Sequence, residues 1–163
     1  MQQLFPTPIF GMTLNGYLNN EGLLGELLPC TTLDGSFSLR SLLFKEDFHD
    51  SLGALYETKA KFITPAQLNR FSSSKQINIL DLCMGIGYNL AGLLDDDKHK
   101  SLNINWWGLE IDRRPLRIAL EQQTFRSCWS SQVITILEQL RDTNAWRMDS
   151  SKGQILWGDA REK

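Results

Sequence analysis

The stretch from Ile79 to Asn89 constrains the fold of this chain most, because it joins a strand-like run to a tight glycine turn. An apolar run that contains one acid precedes the turn, and Gly85 and Gly87 stand within it. Glycine lets the backbone turn sharply and lets a ligand approach closely, since no Cβ stands in the way. The residues that follow favour a helix whose first N–H groups are free to bind. The pattern therefore predicts a strand, a turn and a helix with a ligand cradle at their junction.

The rest of the C-terminal part alternates strand and helix patterns. Strands are predicted at 76–82, 103–111 and 154–158, and helices at 88–94, 115–123 and 132–141. This alternation favours a parallel sheet with right-handed crossovers. The predicted fold class is α/β and Rossmann-like, with the sheet truncated after its third strand. We expect the first strand to present an uncovered edge.

The chain of 163 residues is long enough for one core and short for two ordinary domains. Residues 1–75 are predicted to form an N-terminal extension that packs on the ligand-binding half, residues 76–163. Within the extension, Asp-Gly at 34–35 is a hairpin signal. We expect Leu33, Phe37 and Leu39 to share a buried surface around that hairpin.

A helix is predicted over 46–62, because its apolar residues recur at helical spacing. Two of the residues that define this apolar face are Leu52 and Phe62. The extension is therefore expected to consist of a hairpin followed by one helix.

Composition excludes several classes of protein. Cys30, Cys83 and Cys128 are far apart and follow no metal spacing, which favours free thiols in the cytoplasm and no metal site. The N-terminus lacks the pattern of a signal peptide, and no apolar run is long enough to cross a membrane. The net charge of −2 gives no overall basic footprint for nucleic acid. The compact basic group at 113–117 favours a solvated helix face over an RNA contact.

The choice of cofactor depends on what surrounds the glycine pair. A dinucleotide site expects a third glycine, and Leu90 stands in that place. S-adenosylmethionine carries no phosphate and needs a tight turn, an acid for its ribose and a polar group for its adenine. Glu110 ends the second predicted strand and Asp159 follows the third, where carboxylates can accept these hydrogen bonds. S-adenosylmethionine is therefore favoured, and a NAD-binding domain is the alternative.

The predicted site residues fall into two groups. The candidate cofactor ligands are Asp81, Gly85, Gly87, Asn89, Glu110 and Asp159. The candidate contacts with substrate or cofactor are Glu57, His49 and Asp34. Each has a structural alternative: Asp34 as a turn residue, His49 as a packed helix residue, and Asn89 as a helix cap. Asp112 is the rival of Glu110 for the ribose.

Three stretches carry a resemblance to a known family: Thr32–Leu39, Phe48–Glu57 and Gly85–Asn89. They resemble the S-adenosylmethionine-dependent Rossmann-like methyltransferases. More narrowly, they resemble the MnmC-like family, which completes the 5-methylaminomethyl group (on 2-thiouridine) at the wobble position of bacterial tRNA. The resemblance covers roughly residues 30 to 163. It implies methyl transfer from S-adenosylmethionine to an exocyclic amine, with tRNA as the substrate.

The chain also departs from that family. The family's acid beside the reacting amine would lie beyond Lys163, so the catalytic residue is unknown. Cys83 stands where many methyltransferases have glycine. The alternative of a different class is a non-catalytic fragment or assembly module, which pairs with another copy or with a missing C-terminal half.

Overall fold

The computed structural model describes residues 24–71 and 75–162. Its strands are β1 Leu27–Thr31, β2 Phe37–Ser41, β3 Glu46–Asp47, β4 Gln76–Leu82, β5 Asn103–Glu110, β6 Ala145–Met148 and β7 Ser151–Trp157. Its α-helices are α1 Ala54–Glu57, α2 Thr64–Ala66, α3 Tyr88–Asp95, α4 Arg114–Glu121, α5 Gln123–Arg126 and α6 Ser131–Thr143. A π-helical segment, Thr58–Ile63, joins α1 to α2. None of the described helices is both long enough and apolar enough to cross a lipid bilayer.

The larger sheet has the order β4-β5-β7-β6. Strands β4, β5 and β7 run parallel, and β6 pairs with β7 antiparallel. The prediction of an α/β fold with a parallel sheet is confirmed. Strand β6 was not predicted, because the hairpin that joins it to β7 turns at Asp149 without a glycine, at a φ of 49°. The parallel strands bring their carboxyl ends to one edge of the sheet, where such folds bind ligands.

One face of this sheet is packed against the helices. Alternate residues along the strands point into this layer, and Ile104 and Trp106 are each 1% exposed. The Trp106 ring lies across Gly108, where an added Cβ would come within 2.3 Å of it, and also covers Gly153. Burying a large apolar side chain stabilises a fold by about 1.5–3 kcal/mol. This layer therefore forms the main core, and it fixes β4 and β5 relative to the helices.

The opposite face is open. Leu80, Leu82 and Leu156 are 60%, 56% and 42% exposed, so the helices that the structure describes cover one face only. The outer edge of β4 pairs with no strand among residues 24–71 and 75–162. Parallel sheets are normally covered on both faces, whereas this open face carries exposed leucines toward the carboxyl ends of its strands and polar residues such as Asn78 and Lys152 toward the other end.

The smaller sheet has the order β1-β2-β3 and is antiparallel. The β1–β2 turn is organised by Asp34, whose Oδ1 accepts hydrogen bonds from the Ser36 N–H (2.9 Å) and the Thr32 hydroxyl (2.8 Å). Leu39 is buried as expected, but Leu33 is 81% exposed. The expectation for Leu33 is wrong, because this residue lies at the tip of the turn. Residues 1–23 of the predicted extension lie outside the described residues.

The prediction of one helix over 46–62 is wrong at its start. Glu46–Asp47 pairs with β2 as β3, and helical structure begins only at Ala54. Gly53, at a φ of 151°, marks the change of direction. An added Cβ at Gly53 would lie 1.9 Å from Oδ2 of Asp34, so the chain crosses the hairpin turn where only glycine fits.

The helical face that was predicted from the apolar spacing is also not formed. The π-helical segment widens the helix after α1 and shifts the phase of the residues that follow. Leu52, before the helix, and Phe62, in the π-helical segment, are 56% and 49% exposed. The same segment packs closely on α3, since an added Cβ at Gly92 would lie 2.8 Å from the Thr58 methyl carbon.

Candidate functional site

A cavity of about 410 Å³ opens in front of the glycine turn, at the carboxyl end of β4. Phe48, His49 and Glu57 of the N-terminal part line one side. Asp81, Gly85 and Asn89 line the other. The structure thus brings together five of the residues predicted from sequence, from two parts of the chain far apart in sequence.

The glycine turn has three residues in the left-handed region. The φ angles of Cys83, Gly85 and Gly87 are 58°, 57° and 99°. Gly85 has little space as well, since an added Cβ would contact the Phe48 ring at 3.4 Å. Left-handed backbone costs an L-residue about 1–2 kcal/mol. Cys83 therefore occupies a position that suits glycine.

Asp81 lies on the helix side of β4, one residue before the strand ends. Its Oδ2 atom is buried and has no hydrogen-bond partner in the described part of the chain. Burial raises the pKa of Asp81 to about 6, and the negative charge of Glu110 adds to this rise. Hydrogen bonds from the side chains of Asn89 and Trp106 lower the pKa, but by less than burial raises it. A buried carboxyl oxygen without a partner is costly unless something donates to it or neutralises it. Asp81 is therefore poised to receive a donor or a cation.

Glu110 is the last residue of β5, and it is 8% exposed. Oε2 accepts a hydrogen bond from the Gly85 N–H at 2.7 Å. Oε1 accepts from the N–H groups of Ile111 at 2.7 Å and Asp112 at 2.9 Å. The predicted ribose ligand thus lies beside the turn, with much of its accepting capacity used by the backbone.

The two other acids at this edge are paired with arginines. The Asp159 carboxylate accepts from the Arg161 N–H at 2.8 Å and from its Nε at 2.9 Å. These hydrogen bonds hold the pKa of Asp159 down, at about 2. Asp112 accepts from Arg114 through Nε at 3.0 Å and Nη2 at 2.7 Å. Asp112 is thereby part of an internal ion pair rather than an open rival of Glu110.

The remaining cavity residues from the N-terminal part are held by local contacts. His49 Nδ1 lies 3.0 Å from the Ser38 hydroxyl, and its ring meets Tyr88 edge-on, with 4.9 Å between centroids. Burial lowers the pKa of His49, so its ring is neutral at neutral pH. Glu57 accepts from the Asp50 N–H at 2.9 Å and from Lys61 Nζ at 2.9 Å.

Asp34 and Asn89 differ in their placement. Asp34 lies apart from the cavity lining, and its Oδ2 accepts from the Tyr56 N–H at 3.2 Å, so it ties the hairpin turn to α1. Asn89 lines the cavity, and its Oδ1 accepts from the Thr58 hydroxyl at 3.4 Å. Asn89 therefore links the glycine turn to the π-helical segment.

Sequence reasoning missed the aromatic residues of the site. Phe48 was assigned to a helix face, whereas its ring covers Gly85. Tyr88 is 2% exposed, and its hydroxyl donates to the Phe37 carbonyl at 2.9 Å, which fastens α3 to β2. The residues that follow the glycine pair gave no signal for this bond, because it joins positions far apart in sequence.

The basic group at 113–117 contributes to internal contacts. Arg113 stacks over the Trp157 ring at 4.6 Å and donates to the Asn144 side chain at 3.2 Å. Arg114 donates to the Gly25 carbonyl at 2.7 Å in addition to its pairing with Asp112. These arginines hold the carboxyl edge of the sheet together.

The sequence and the fold were compared with those of known proteins. No protein-family model matches the chain. Over 73 residues the chain is 33% identical to an uncharacterized protein of Methanocaldococcus jannaschii, a match that covers 45% of this chain and 20% of that protein. The crystal structure of MnmC2 from Aquifex aeolicus superposes with a TM-score of 0.66 at 22% identity, over 85% of this chain and 45% of that one. The chain therefore spans less than half the length of either protein, and its fold is similar to that of MnmC2.

Proposed function

We propose that this chain binds S-adenosylmethionine and belongs to a methyltransferase that acts on a wobble uridine of tRNA. The buried, unpartnered oxygen of Asp81 beside the glycine turn is the observation that carries the proposal. The fold shared with MnmC2 supports the reaction class. The tRNA substrate, the exocyclic amine as acceptor and a cytoplasmic location are parts of the same proposal.

The residues present fit this cofactor. Its methionine part carries positive charge, and Asp81 supplies a carboxylate whose Oδ2 lacks a partner in the described residues. Gly85 lines the cavity without a side chain, and Asn89 offers an amide at the same wall. Gly87 was also predicted to contact the cofactor, but it packs against Leu116 and Leu137 and is not part of the cavity lining. Glu110 faces the turn from β5 and is proposed for the ribose, and Asp159 for the adenine side.

When bound, S-adenosylmethionine supplies a methyl group already activated for displacement. The chain then mainly has to orient the methyl donor and the acceptor amine and to exclude water from them. Phe48 and His49 line the wall of the cavity that the N-terminal part supplies. Orientation of two reactants contributes about 7–11 kcal/mol in favourable cases. The acceptor amine must be neutral to react, so a nearby acceptor for its proton is required.

Calorimetric titration of S-adenosylmethionine tests the proposal, with one matched pair of variants. Gly85→Ala strains a left-handed turn and crowds Phe48, whereas Gly35→Ala strains a turn with no atom within 4 Å of the new Cβ. We expect binding to the unmodified chain and to Gly35→Ala, and at least ~10-fold weaker binding to Gly85→Ala. Absence of binding at millimolar ligand, or competition by NADH at the same site, contradicts the proposal.

The substrate is tested separately. Radiolabelled methyl from S-adenosylmethionine is expected in tRNA that carries the 5-aminomethyl group without its terminal methyl. Labelling of protein or of a small metabolite instead would overturn the tRNA assignment and leave the cofactor assignment standing.

A second candidate function is that of an assembly module that keeps part of a cofactor site. The open sheet face with Leu80, Leu82 and Leu156, and the unpaired edge of β4 in the described sheet, favour it. Sedimentation that gives a monomer together with cofactor binding speaks against this candidate. Self-association without cofactor binding favours it.

A further inference from the structure

The open face of the larger sheet carries a polar and aromatic surface beside its leucines. The strand register places Asn105, Lys152 and Arg147 side by side in one row across β5, β7 and β6. In the next row along β5 and β7, Trp107 lies beside Gln154. These residues alternate with the buried residues of their strands, so their side chains belong to the open face.

The two cations of this surface are direct neighbours. Arg147 and Lys152 are partners in the antiparallel pairing of β6 with β7, and both are exposed. Like charges directly opposite each other destabilise a sheet. Among the strand residues that the structure describes on this face, none is acidic. The strands of the face therefore supply no counter-charge to these cations, which favours an anionic ligand.

Trp107 adds a flat apolar surface next to the cations. Its indole is half-buried, and beyond Gln154 the same row ends at Ala145, whose small side chain leaves space. A cavity of about 510 Å³ lies here, and Trp107, Lys152 and Gln154 are among the residues that line it. This volume is in the range of small-molecule sites. The surface therefore combines room for a planar group with cations and amides at its border.

We propose that this surface binds single-stranded RNA. Arg147 and Lys152 hold the phosphate backbone, a base stacks on the Trp107 indole, and the amides of Asn105 and Gln154 hydrogen-bond to the edge of that base. Stacking on an aromatic side chain beside a cationic groove is how proteins bind single-stranded nucleic acid. The choice of RNA over DNA rests on the proposed function, whereas the stacking and the phosphate contacts do not.

Binding of a short, dye-labelled single-stranded oligouridylate, followed by fluorescence anisotropy, tests the stacking. Trp107→Ala removes the indole, and we expect ~5–100-fold weaker binding, the loss of one stacked base. Trp107→Phe keeps an aromatic ring and should bind within ~3-fold of the unmodified chain. This rescue separates the loss of stacking from a loss of folding. Equal affinities of Trp107→Ala and the unmodified chain would overturn the proposal.

The salt dependence of the same binding tests the cations. Arg147→Gln and Lys152→Gln should each lower the slope of log affinity against log salt concentration by ~0.7, the loss of one phosphate contact with a single strand. Both variants relieve a like-charge pair, so neither is expected to unfold the sheet. Lys59→Gln is the matched control, because Lys59 is an exposed cation of the π-helical segment, which packs on α3. Equal slopes in all four proteins would overturn the role of the cations.

Two further outcomes are distinct from these. Self-association that Trp107→Ala abolishes, without binding of the oligouridylate, would make this face an interface between copies of the chain and overturn the proposal. Failure of S-adenosylmethionine to bind in calorimetry counts against the proposed function and leaves the RNA measurement standing. Failure of the oligouridylate alone counts against this surface and leaves the cofactor assignment standing.

Discussion

Asp81 and Asp159 have similar positions relative to their strands, but their carboxylates differ in whether they have partners. Each lies where a parallel strand ends, and each was predicted to bind the cofactor. Asp81 has a buried oxygen without a partner in the described residues, and burial raises its pKa to about 6. Asp159 is saturated by Arg161, which lowers its pKa to about 2. The position of an acid at a strand end therefore predicts where its carboxylate lies. It does not predict whether that carboxylate is free to bind a ligand.

The difference has a local cause. Arg161 lies two residues after Asp159 and folds back on it, in a short 3₁₀ turn at 160–162. Asp81 is followed by the glycine turn, where the neighbours are apolar or small and supply no cation. The unpaired acid is therefore the one with affinity left for a positively charged ligand.

The largest expected effect is that of Asp81→Asn. This change keeps the shape of the side chain and removes its charge. We expect ~10–100-fold weaker binding of S-adenosylmethionine at pH 7.5, the loss of a charge-assisted contact, measured by calorimetry. Stability should change in the opposite direction, with an increase of about 1–3 kcal/mol in the free energy of unfolding at pH 7.5.

The sign of the stability change follows from the pKa of Asp81. Its folded-state value, about 6, lies above its ordinary value of 3.8, so ionisation of this carboxyl opposes folding. The increase in the free energy of unfolding caused by Asp81→Asn should reach its full size above pH ~6 and should be absent below pH ~4. A variant that both binds normally and gains no stability would show that Asp81 has an ordinary environment.

Asp159→Asn should have a smaller effect. Because Arg161 already satisfies this carboxylate, and the Arg161 side chain is 86% exposed, we expect a change of less than ~3-fold in cofactor affinity. Arg161→Ala, which leaves the carboxylate free, should bind at least as well as the unmodified chain. A loss in Asp159→Asn as large as that in Asp81→Asn would contradict the contrast between the two acids.

Cys83→Gly should have the smallest effect. Glycine removes the cost of a left-handed residue at a φ of 58° and adds entropy to the unfolded chain. These terms nearly cancel, so we expect a gain of no more than ~1 kcal/mol in stability by thermal unfolding. Cofactor affinity should stay within ~2-fold. A clear loss of stability would mean that the thiol makes a contact beyond the geometry of the turn.

The sequence predicted the scaffold of the site well and its N-terminal wall poorly. The strand of 76–82 and the helix after Gly87 follow from local patterns, apolar alternation and glycine spacing, that act over a few residues. The supposed helix over 46–62 failed because Glu46–Asp47 pairs with β2, and Gly53 crosses the hairpin turn at Asp34. Such contacts between distant segments leave no periodicity in the sequence.

The candidate site shows the same division. The placement of Asp81, Gly85 and Glu110 at one edge follows from the order of strands and turns. The partners of these residues do not follow from it. The pairing of Asp112 with Arg114, and the Phe48 ring over Gly85, depend on packing that only the folded chain defines.

Calorimetric titration of S-adenosylmethionine between pH 5 and 7.5, on the unmodified chain and on Asp81→Asn, tests the central claim most directly. His49 also lines the cavity and is present in both proteins, so the difference between the two curves isolates Asp81. The account predicts that affinity for the unmodified chain falls up to ~10-fold as the pH drops through about 6, and that the variant lacks most of this fall. Parallel curves with equal affinities would contradict the claim that Asp81 receives the charge of the cofactor.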